Sequence, residues 1–250
     1  MLNIVVPMAG RGSRFADAGY TDPKPLIDVH GKHMIEVVIN NLTPRCEHRF
    51  IFVCQEEHVQ AYKLDAIFAN VCKNYEIVTI NSITEGAAIT VLKARAFFEN
   101  NNPLMIANSD QWVDMDINEY LEDIQTRELS GSMLTMKAND PKWSYAKVDQ
   151  EGYVTEVVEK VVISDEATVG IYNFSKGSDF CHFADFMVKE DIRSNGEFYV
   201  APVYSFMAEN GQKIGVYNIG EEANGMYGLG IPNDLELFLK TSLVSKATNF

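Results

Sequence analysis

The stretch LNIVVPMAGRGSRF, residues 2–15, joins an apolar run to a loop that contains two glycines and two arginines. The largely apolar residues at 2–6, with the uninterrupted run Ile4-Val5-Val6, predict a short buried strand. Glycine lets backbone N–H groups approach an anion closely, and arginine adds positive charge. The loop by itself fits an anion site and a plain glycine turn with solvated arginines about equally well.

Strands and helices alternate along the residues that follow this loop. Apolar runs predict further strands at 49–53, 76–80 and 104–107, and apolar residues at helical spacing predict helices at 35–42 and 87–98. Ser82 and Glu85 have the spacing of a capping box before the second helix. The alternation predicts an α/β fold, a three-layer Rossmann-like architecture around a mixed, largely parallel sheet, with ligands beyond the carboxyl ends of the strands.

Strand-rich sequence follows Asp110, so we expect a second structural region within one domain of residues 1–250. The patterns predict the following elements: a helix at 117–124, strands at 133–138, 146–148, 153–158 and 169–174, helices at 179–189 and 200–209, a strand at 214–218 and a helix from Pro232. Residues 1–110 and about 212–250 are expected to form the core, and about 111–211 a lobe over the sheet.

The charge distribution is uneven. The formal net charge of -14 argues against a broad surface for nucleic acid or for an anionic membrane. Residues 1–33 nevertheless carry four Lys or Arg against three Asp, so an anionic ligand would meet local positive charge there. The opening apolar run is too short for a signal peptide, and no apolar stretch approaches membrane-spanning length. We therefore expect a cytoplasmic protein.

Two common phosphate-binding motifs do not fit the glycine loop. A dinucleotide fingerprint requires a third glycine where this chain has Phe15, and an acid at the end of the second strand, where it has Gln55. A P-loop requires Gly-Lys-Ser/Thr, which is absent. Lys24 lies between Pro23 and Pro25, and these two prolines stiffen the backbone around it.

The combination G-x-G-S-R-F, then P-K-P-L-I, then a helix that opens Gly-Lys-x-Met-Ile resembles the nucleotidyltransferase family. These enzymes make nucleotide-activated sugars and related phosphoesters, and their sheet topology is shared with one class of glycosyltransferases. The resemblance implies a nucleoside triphosphate and a phosphorylated small molecule as partners, and Mg²⁺ as cofactor. It assigns the nucleotide to the core and the acceptor to the 111–211 lobe.

The resemblance also implies roles for individual residues. Arg14 would hold the triphosphate and the departing pyrophosphate, Lys24 the phosphates at the reacting centre, and Lys160 the acceptor phosphate. Nucleotide contacts would come from the glycine loop, a second turn and a strand end: Met8, Ala9, Gly10, Arg11, Gly12, Ser13, Thr84, Glu85, Gly86 and Ser109. Acceptor contacts would come from Glu159, Gly170 and Glu197.

Asp110 matches the strand-end aspartate that binds Mg²⁺ in the family. Mg²⁺ prefers one or two carboxylates together with phosphate oxygens and water, which agrees with this position. Many family members carry a second metal-binding aspartate where this chain has Gly228. Either Asp110 alone anchors the metal, or another acid such as Asp234 or Glu222 takes the second place.

The nucleobase and the acceptor are less constrained by the sequence. The chain looks most like a branch that serves capsule and surface-polysaccharide synthesis, so we predict CTP as the nucleotide and L-glutamine phosphate as the acceptor. Phosphocholine and sugar 1-phosphates are alternative acceptors, and a homodimer is expected. Two other classes stay open: a glycosyltransferase that uses Asp114 and Asp116 as a D-x-D metal motif, and a non-catalytic nucleotide-binding regulator.

Overall fold

A computed structural model describes residues 1–10 and 12–250. Arg11, one of the residues predicted to contact the nucleotide, lies outside the described residues. The strands are β1 Leu2–Pro7, β2 Asp28–Val29, β3 Lys32–His33, β4 His48–Gln55, β5 Tyr75–Ile80, β6 Leu104–Ala107, β7 Gln111–Val113, β8 Gly131–Lys137, β9 Ser144–Val148, β10 Val154–Glu159, β11 Glu166–Phe174, β12 Ile214–Glu222 and β13 Gly225–Gly228. The helices are α1 Ser13–Asp17, α2 Met34–Leu42, α3 Glu56–Tyr62, α4 Leu64–Val71, α5 Ala87–Leu92, α6 Arg95–Phe98, α7 Ile117–Thr126, α8 Gly177–Lys189, α9 Val203–Glu209, α10 Pro232–Leu239 and α11 Leu243–Thr248, with a 3₁₀ turn at Lys24–Leu26.

One large sheet organises the molecule, in the order β5-β4-β1-β6-β11-β8-β12-β13-β7, with β9 and β10 paired beside β11. The half formed by β5, β4, β1 and β6 is parallel throughout. β11 runs antiparallel to both β6 and β8, whereas β12 is parallel to β8. The predicted mixed α/β sheet is thereby confirmed.

Helices cover both faces of the sheet because its central strands are apolar on both sides. In β1, Ile4 and Val6 belong to a core shared with α2, α4 and α7, whereas Val5 belongs to the opposite core with α5, α8 and α9. A strand buried on both faces has a continuous apolar run instead of an alternating pattern. This is the physical reason why residues 2–6 predicted a buried strand.

The α2 helix follows the predicted spacing closely. Ile35, Val38, Ile39 and Leu42 are all buried on one face. Glu36 accepts a hydrogen bond from the His33 backbone N–H at 2.8 Å and so closes the amino end of the helix. The helix ends at Leu42, just before Thr43 and Pro44, since proline disfavours helical conformation in the residue before it.

Three sequence predictions differ from the structure. The expected capping box at Ser82 and Glu85 is wrong, because the helix begins only at Ala87 and its N-cap is Gly86. The single helix predicted at 87–98 is two short helices, α5 and α6, and the terminal helix is likewise divided into α10 and α11. The short strands β7 and β13 were not predicted, since strands of three and four residues show too little periodicity.

Within the described part of the chain, every helix is too short or too polar to cross a lipid bilayer. Strands β8 and β11, from the predicted lobe, stand inside the main sheet between β6 and β12. The boundaries given for the core and the lobe stay a prediction.

Candidate active site

A lysine and an aspartate meet where β6 ends. Lys24 Nζ, on the 3₁₀ turn, donates to Asp110 Oδ2 at 2.6 Å, and each side chain is 24% exposed. Eighty-six residues separate the two in the sequence. The structure therefore brings together the predicted phosphate-binding lysine and the predicted metal-binding aspartate at the carboxyl edge of the parallel strands.

Gly230 leaves the space that the Asp110 carboxylate occupies. A Cβ atom at residue 230 would lie 2.5 Å from Asp110 Oδ2, closer than real Cβ contacts. The Leu229 N–H also donates to the Asp110 backbone carbonyl at 2.8 Å, so the segment after β13 lies against both the backbone and the side chain of this residue. Sequence reasoning did not assign a role to Gly230; the run of glycines at 225, 228 and 230 was the available signal.

The backbone of the glycine loop is held against the side chains of its neighbours. Gln55, only 9% exposed, donates from Nε2 to the Ala9 carbonyl at 2.9 Å. Gly12 has a φ of 61° and forms the N-cap of α1, and a Cβ atom there would lie 3.1 Å from the Lys24 Cβ. A left-handed conformation and a close neighbour both favour glycine at this position. The loop and the lysine therefore pack as neighbours, with Gln55 as a structural anchor.

The predicted loop residues differ in exposure. Met8 and Ala9 are buried at the end of β1, whereas Gly10, Ser13 and Arg14 are exposed. Ser109, next to Asp110, is buried.

A second turn, at 84–87, lies against the segment around Phe198. Gly86 has a φ of 129° and a ψ of 171°, a conformation that is open essentially only to glycine. A Cβ atom at residue 86 would lie 2.6 Å from the Phe198 backbone nitrogen and would also clash with its carbonyl oxygen. The Thr84 hydroxyl donates to the Gly86 carbonyl at 3.1 Å. Thr84 and Gly86, both predicted to contact nucleotide, therefore belong to a tightly constrained turn.

A cavity of about 250 Å³ opens beside these elements. Its lining combines one buried acid with hydroxyl, aromatic and amide groups: Ala87, Asn108, Lys142, Trp143, Ser144, Glu159, Thr168, Val169, Gly170, Tyr172, Tyr199 and Val200. Glu159 and Gly170, both predicted to bind the acceptor, thus face the same cavity. Lys142, Trp143 and Ser144 were missed, because nothing in their local sequence distinguishes them from a solvated turn.

Glu159 is an unusual group in this cavity. Its residue is 8% exposed, and it accepts a hydrogen bond from the Ser144 hydroxyl. Burial raises the pKa of the Glu159 carboxyl above its ordinary value, although the bond from Ser144 and the charge of Lys160 act against this shift. Among the described residues, the structure gives this carboxylate no ion pair, and its one side-chain hydrogen-bond partner is Ser144. The carboxylate is therefore open to a cationic or hydrogen-bond-donating group.

Lys160 and Tyr199 meet at the edge of the cavity. The Lys160 Nζ donates to the Tyr199 hydroxyl at 2.8 Å, and this bond raises the pKa of the lysine. Lys160 has a φ of 58°, so the chain turns sharply just after the buried Glu159. The predicted acceptor residue Glu197 is exposed and pairs with Ser194 only through the backbone, with two hydrogen bonds of 3.0 Å.

Gly170 is a further position that only glycine satisfies. It has a φ of 80°, and a Cβ atom there would lie 2.7 Å from Gln111 Oε1 and would clash with the Asn108 side chain. Its carbonyl accepts from the Asn108 N–H at 2.9 Å and from Gln111 Nε2 at 3.1 Å. Gly170 thus fixes the strand end from which Asp110 projects.

With this geometry in place, comparison with known proteins identifies the family. The nucleotidyl transferase family model matches residues 4–213. The chain belongs to this family. Among curated relatives, the bifunctional protein GlmU of Lactobacillus gasseri is 24% identical over 257 residues, with 98% of this chain and 52% of that protein covered. A 2-aminoethylphosphonate cytidylyltransferase of Lancefieldella rimae is 35% identical over 109 residues, which cover 42% of this chain and 44% of that protein.

The chain spans about half the length of these curated relatives. Among solved structures, a nucleoside-diphosphate-sugar pyrophosphorylase from Vibrio cholerae superposes with a TM-score of 0.80 at 25% identity. The match covers 95% of this chain and 100% of the Vibrio chain. The similarity agrees with the sheet described above.

Gly228, at the position where the resemblance predicted a second metal-binding aspartate, lies beside the carboxylate of Asp234. A Cβ atom at residue 228 would lie 3.4 Å from Asp234 Oδ2, which is ordinary van der Waals contact. Burial raises the pKa of Asp234, while the charges of Lys142 and Arg14 act against this shift and that of Glu222 adds to it. Glu222 itself pairs with Lys142 at 2.7 Å. Of the two predicted substitutes, Asp234 is the one beside the glycine.

The residues near Asp110 fit a magnesium ion that is completed by substrate oxygens. Among the described residues, no three His, Cys, Asp or Glu side chains are grouped so as to hold a metal. Mg²⁺ needs no such group, because it is bound through one or two carboxylates, phosphates and water. Asp110 is a partly exposed carboxylate at the end of a strand, with room made by Gly230. This donor set suits Mg²⁺ better than a metal that prefers nitrogen or sulfur.

Asp114 and Asp116, the alternative D-x-D motif, have structural partners. Asp116 accepts from the Asn118 N–H at 2.9 Å and so caps α7, and it pairs with Arg45 at 2.7 Å. Asp114 pairs with Lys246 at 2.5 Å. Both contacts are typical of surface carboxylates that stabilise helix and chain ends.

Proposed function

We propose that the chain transfers a nucleoside monophosphate from a nucleoside triphosphate to a phosphorylated small molecule and releases pyrophosphate. The Lys24–Asp110 pair carries this proposal, since it puts a cation and a carboxylate that could hold a metal beside the glycine loop at the strand ends. Ligands of open α/β sheets bind at this edge. Membership of the nucleotidyl transferase family supports the reaction class.

The reaction needs little covalent chemistry from the protein. An oxygen of the acceptor phosphate forms a bond to the α-phosphorus, and the bond from that phosphorus to the bridging oxygen of pyrophosphate breaks. The attacking oxygen is already anionic, so no general base is required. Lys24 stabilises the reacting phosphoryl group, Arg14 the departing charge and Lys160 the acceptor phosphate, and orientation supplies much of the rate.

Asp110 would hold Mg²⁺, which supplies positive charge to the phosphate oxygens when it is bound. The glycine loop at 8–13, including Arg11, together with the turn at 84–86 and Ser109, would contact the nucleotide. We further propose that residues 1–110 and about 212–250 bind the nucleotide, and that residues 111–211 bind the acceptor. Most of the cavity lining, the residues between 142 and 200, supports this division, and Ala87 and Asn108 join the lining from the core.

For the substrates, we propose CTP and L-glutamine phosphate, which would give CDP-L-glutamine for capsule modification. The cavity supports an acceptor that carries an ammonium group. A buried carboxylate, Glu159, lies there among the aromatic residues Trp143, Tyr172 and Tyr199, and aromatic faces together with an acid favour a cation. Similarity to a 2-aminoethylphosphonate cytidylyltransferase, whose named substrate is an amine, agrees with this choice.

A sugar 1-phosphate is the second candidate acceptor. The similarity to the nucleoside-diphosphate-sugar pyrophosphorylase of Vibrio cholerae favours it. The hydroxyl groups of Ser144 and Thr168 would suit sugar hydroxyls, and Glu159 could accept hydrogen bonds from them. The absence of the usual aspartate at Gly228 counts against an ordinary hexose phosphate.

A matrix of nucleotides and acceptors tests the proposal. ATP, GTP, UTP and CTP are each incubated with L-glutamine phosphate, phosphocholine, 2-aminoethylphosphonate and glucose 1-phosphate in the presence of Mg²⁺, and pyrophosphate release is followed. We expect release with CTP and an acceptor that carries an amine. Release only with sugar 1-phosphates would overturn the acceptor assignment, and release in no combination would overturn the transferase proposal.

A further inference from the structure

The turn at 84–87 and the loop at 191–199, called here the 191–199 loop, form one hydrogen-bonded unit. The Phe198 N–H donates to the Glu85 carbonyl at 2.8 Å, and the Ala88 N–H donates to the Phe198 carbonyl at 3.0 Å. Gly86 sits between them in a conformation that a side chain would block. The two segments are more than a hundred residues apart in the sequence, yet a shift of either backbone alone would break hydrogen bonds to the other.

This contact joins the two halves of the proposed site. The turn at 84–87 is the predicted nucleotide-binding segment, whereas Tyr199 lines the cavity and binds the Lys160 ammonium. Ala87 lines the same cavity from the side of the turn. A displacement of the nucleotide turn would therefore also move residues that line the acceptor cavity.

Arg193 connects the same two segments through its side chain. Its Nη2 donates to Glu85 Oε2 at 2.7 Å, its Nη1 to the Gly196 carbonyl at 3.1 Å and its Nε to Asp191 Oδ1 at 2.5 Å. The guanidinium carbon also lies 4.1 Å from the centre of the Phe198 ring. Each of the three guanidinium nitrogens thus donates one hydrogen bond, to Glu85 in the turn or to Asp191 and Gly196 in the loop, and one face of the group lies on the Phe198 ring.

The other backbone hydrogen bonds of the 191–199 loop are local: Ile192 N–H donates to the Met187 carbonyl at 2.9 Å, and Ser194 and Glu197 pair at 3.0 Å. Asp191, Asn195 and Gly196 have φ values of 50°, 48° and 81°, so the chain reverses in the left-handed region several times. Residues 191–193 and 195–197 are exposed, and Phe198 is the first of the run to be buried. An exposed ion pair contributes little stability by itself. Arg193 contributes more because one guanidinium contacts the Glu85 carboxylate, the Gly196 carbonyl and the Phe198 ring at the same time.

We infer that Arg193 is a positioning residue that makes the nucleotide turn and the 191–199 loop respond as one unit, so that nucleotide binding orders the wall of the acceptor cavity. The nature of the two ligands rests on the proposed function. A nucleotide that stabilises the bound form of the turn also stabilises the loop, and the linkage is reciprocal, so the acceptor tightens the nucleotide by the same factor.

Hydrogen exchange on the full chain tests this inference without relying on turnover. Exchange in peptides covering 84–88 and 194–199 is measured with and without CTP and Mg²⁺ for the wild type, Arg193→Ala and Arg95→Ala. Arg95 is the matched control, because it is 37% exposed against 30% for Arg193 and also pairs with two acids, Glu99 and Asp185, away from the site.

In the wild type and in Arg95→Ala, we expect CTP to slow exchange in both peptides. In Arg193→Ala, CTP should still slow exchange at 84–88, and the protection transmitted to 194–199 should fall about fivefold. Glu85→Gln should also reduce the CTP-induced protection of 194–199. The double variant Glu85→Gln/Arg193→Ala should lose no more of this protection than Arg193→Ala alone, because both substitutions remove the same contact. Arg193→Lys keeps the charge but loses the planar set of N–H donors, so its CTP-induced protection of 194–199 should lie between those of Arg193→Ala and the wild type.

Acceptor affinity gives a second readout that a purely structural role would not change. In the wild type, a CTP analogue with a methylene group in place of the α–β bridging oxygen, which cannot release pyrophosphate, should lower the dissociation constant of L-glutamine phosphate about fivefold or more, and Arg193→Ala should bring this factor close to one. Transmission that is unchanged in Arg193→Ala would overturn the inference, even if pyrophosphate release is observed. Transmitted protection without pyrophosphate release in any combination would support the inference and overturn the proposed reaction.

Discussion

Asp110 is the residue on which the proposed chemistry depends most directly. Asp110→Asn removes the charge but keeps the shape, and we expect the turnover number to fall about 10²–10³-fold, the loss found when one preorganised group that stabilises transition-state charge is removed. The free energy of unfolding should change by no more than about 1 kcal/mol, because the pair with Lys24 is partly exposed. Pyrophosphate release and urea unfolding measure the two quantities.

Asp114→Asn is the matched control for this substitution. Asp114 is 27% exposed against 24% for Asp110, and it too pairs with a lysine, Lys246. We expect almost full activity in this variant. Equal losses in both variants would contradict the assignment, and a loss confined to Asp114→Asn would favour the D-x-D glycosyltransferase alternative.

Gly230 tests whether the position of Asp110 matters, and not only its charge. In Gly230→Ala the new methyl would lie 2.5 Å from Asp110 Oδ2, so the carboxylate must move. We expect activity to fall about tenfold to a hundredfold, since misplacing a catalytic group by about 1 Å has an effect of this order. Steady-state kinetics with saturating Mg²⁺ provide the measurement.

Gly228→Ala is its control, because the methyl there would meet Asp234 Oδ2 at an ordinary 3.4 Å. This variant should keep most of its activity. If Gly228→Ala is impaired as strongly as Gly230→Ala, the effect comes from general distortion of the segment after β13 and not from the Asp110 carboxylate.

At the scale of elements, β10 ends in a buried carboxylate whose pKa is raised by burial. A folded state with a raised carboxyl pKa binds more protons than the unfolded state above the ordinary value of 4.5. The wild type should therefore lose stability relative to Glu159→Gln as the pH rises from about 4.5 through the raised pKa, and the difference should then level off. Urea unfolding at a series of pH values measures it.

Glu156→Gln serves as the control on the same strand, since Glu156 is exposed whereas Glu159 is buried. Its stability should follow the wild type across the pH series. If the free energy of unfolding depends on pH in the same way in the wild type and in Glu159→Gln, the pKa of this carboxyl does not differ between the folded and unfolded states.

Packing between elements explains why some of them were predicted and others were not. The α2 helix and the central strands have patterns of eight or more residues or continuous apolar runs, so burial and local preference agree. The helix predicted at 87–98 breaks near Lys93 and Ala94, although its apolar spacing continues through the break. Its start was set by Gly86 against the Phe198 backbone, a tertiary contact that overrides the local capping signal of Ser82 and Glu85.

At the scale of the whole molecule, nucleotide binding should raise the free energy of unfolding. A ligand that binds only the folded state at 100 times its dissociation constant adds about 2.7 kcal/mol. For a chain of this size, that corresponds to a rise in Tm of about 5–10 °C. CTP with Mg²⁺ should give this rise, and CTP with a chelator a smaller one, as measured by thermal unfolding.

Duplex DNA, at the same concentration of phosphate charge as CTP, is the control for this experiment, since it tests whether any anion raises the Tm. With a net charge of -14, the chain should show no shift with DNA. A shift with DNA that weakens in salt would contradict the expectation drawn from the charge. An equal shift with and without chelator would count against Mg²⁺ as part of the nucleotide complex.

The sequence by itself determined the mixed α/β sheet and the segments of the candidate site near its strand ends. Strand runs, glycines and prolines act over a few residues, and the motif around 8–24 is specific enough to suggest the family. Only the tertiary structure decided that Lys24 meets Asp110, that Gly230 makes room for this carboxylate, and that Arg193 ties the turn at 84–87 to the 191–199 loop. These contacts join residues between 86 and 120 positions apart. Local preferences do not encode such contacts, because they arise only when burial of the apolar faces brings the strand ends to one edge of the sheet.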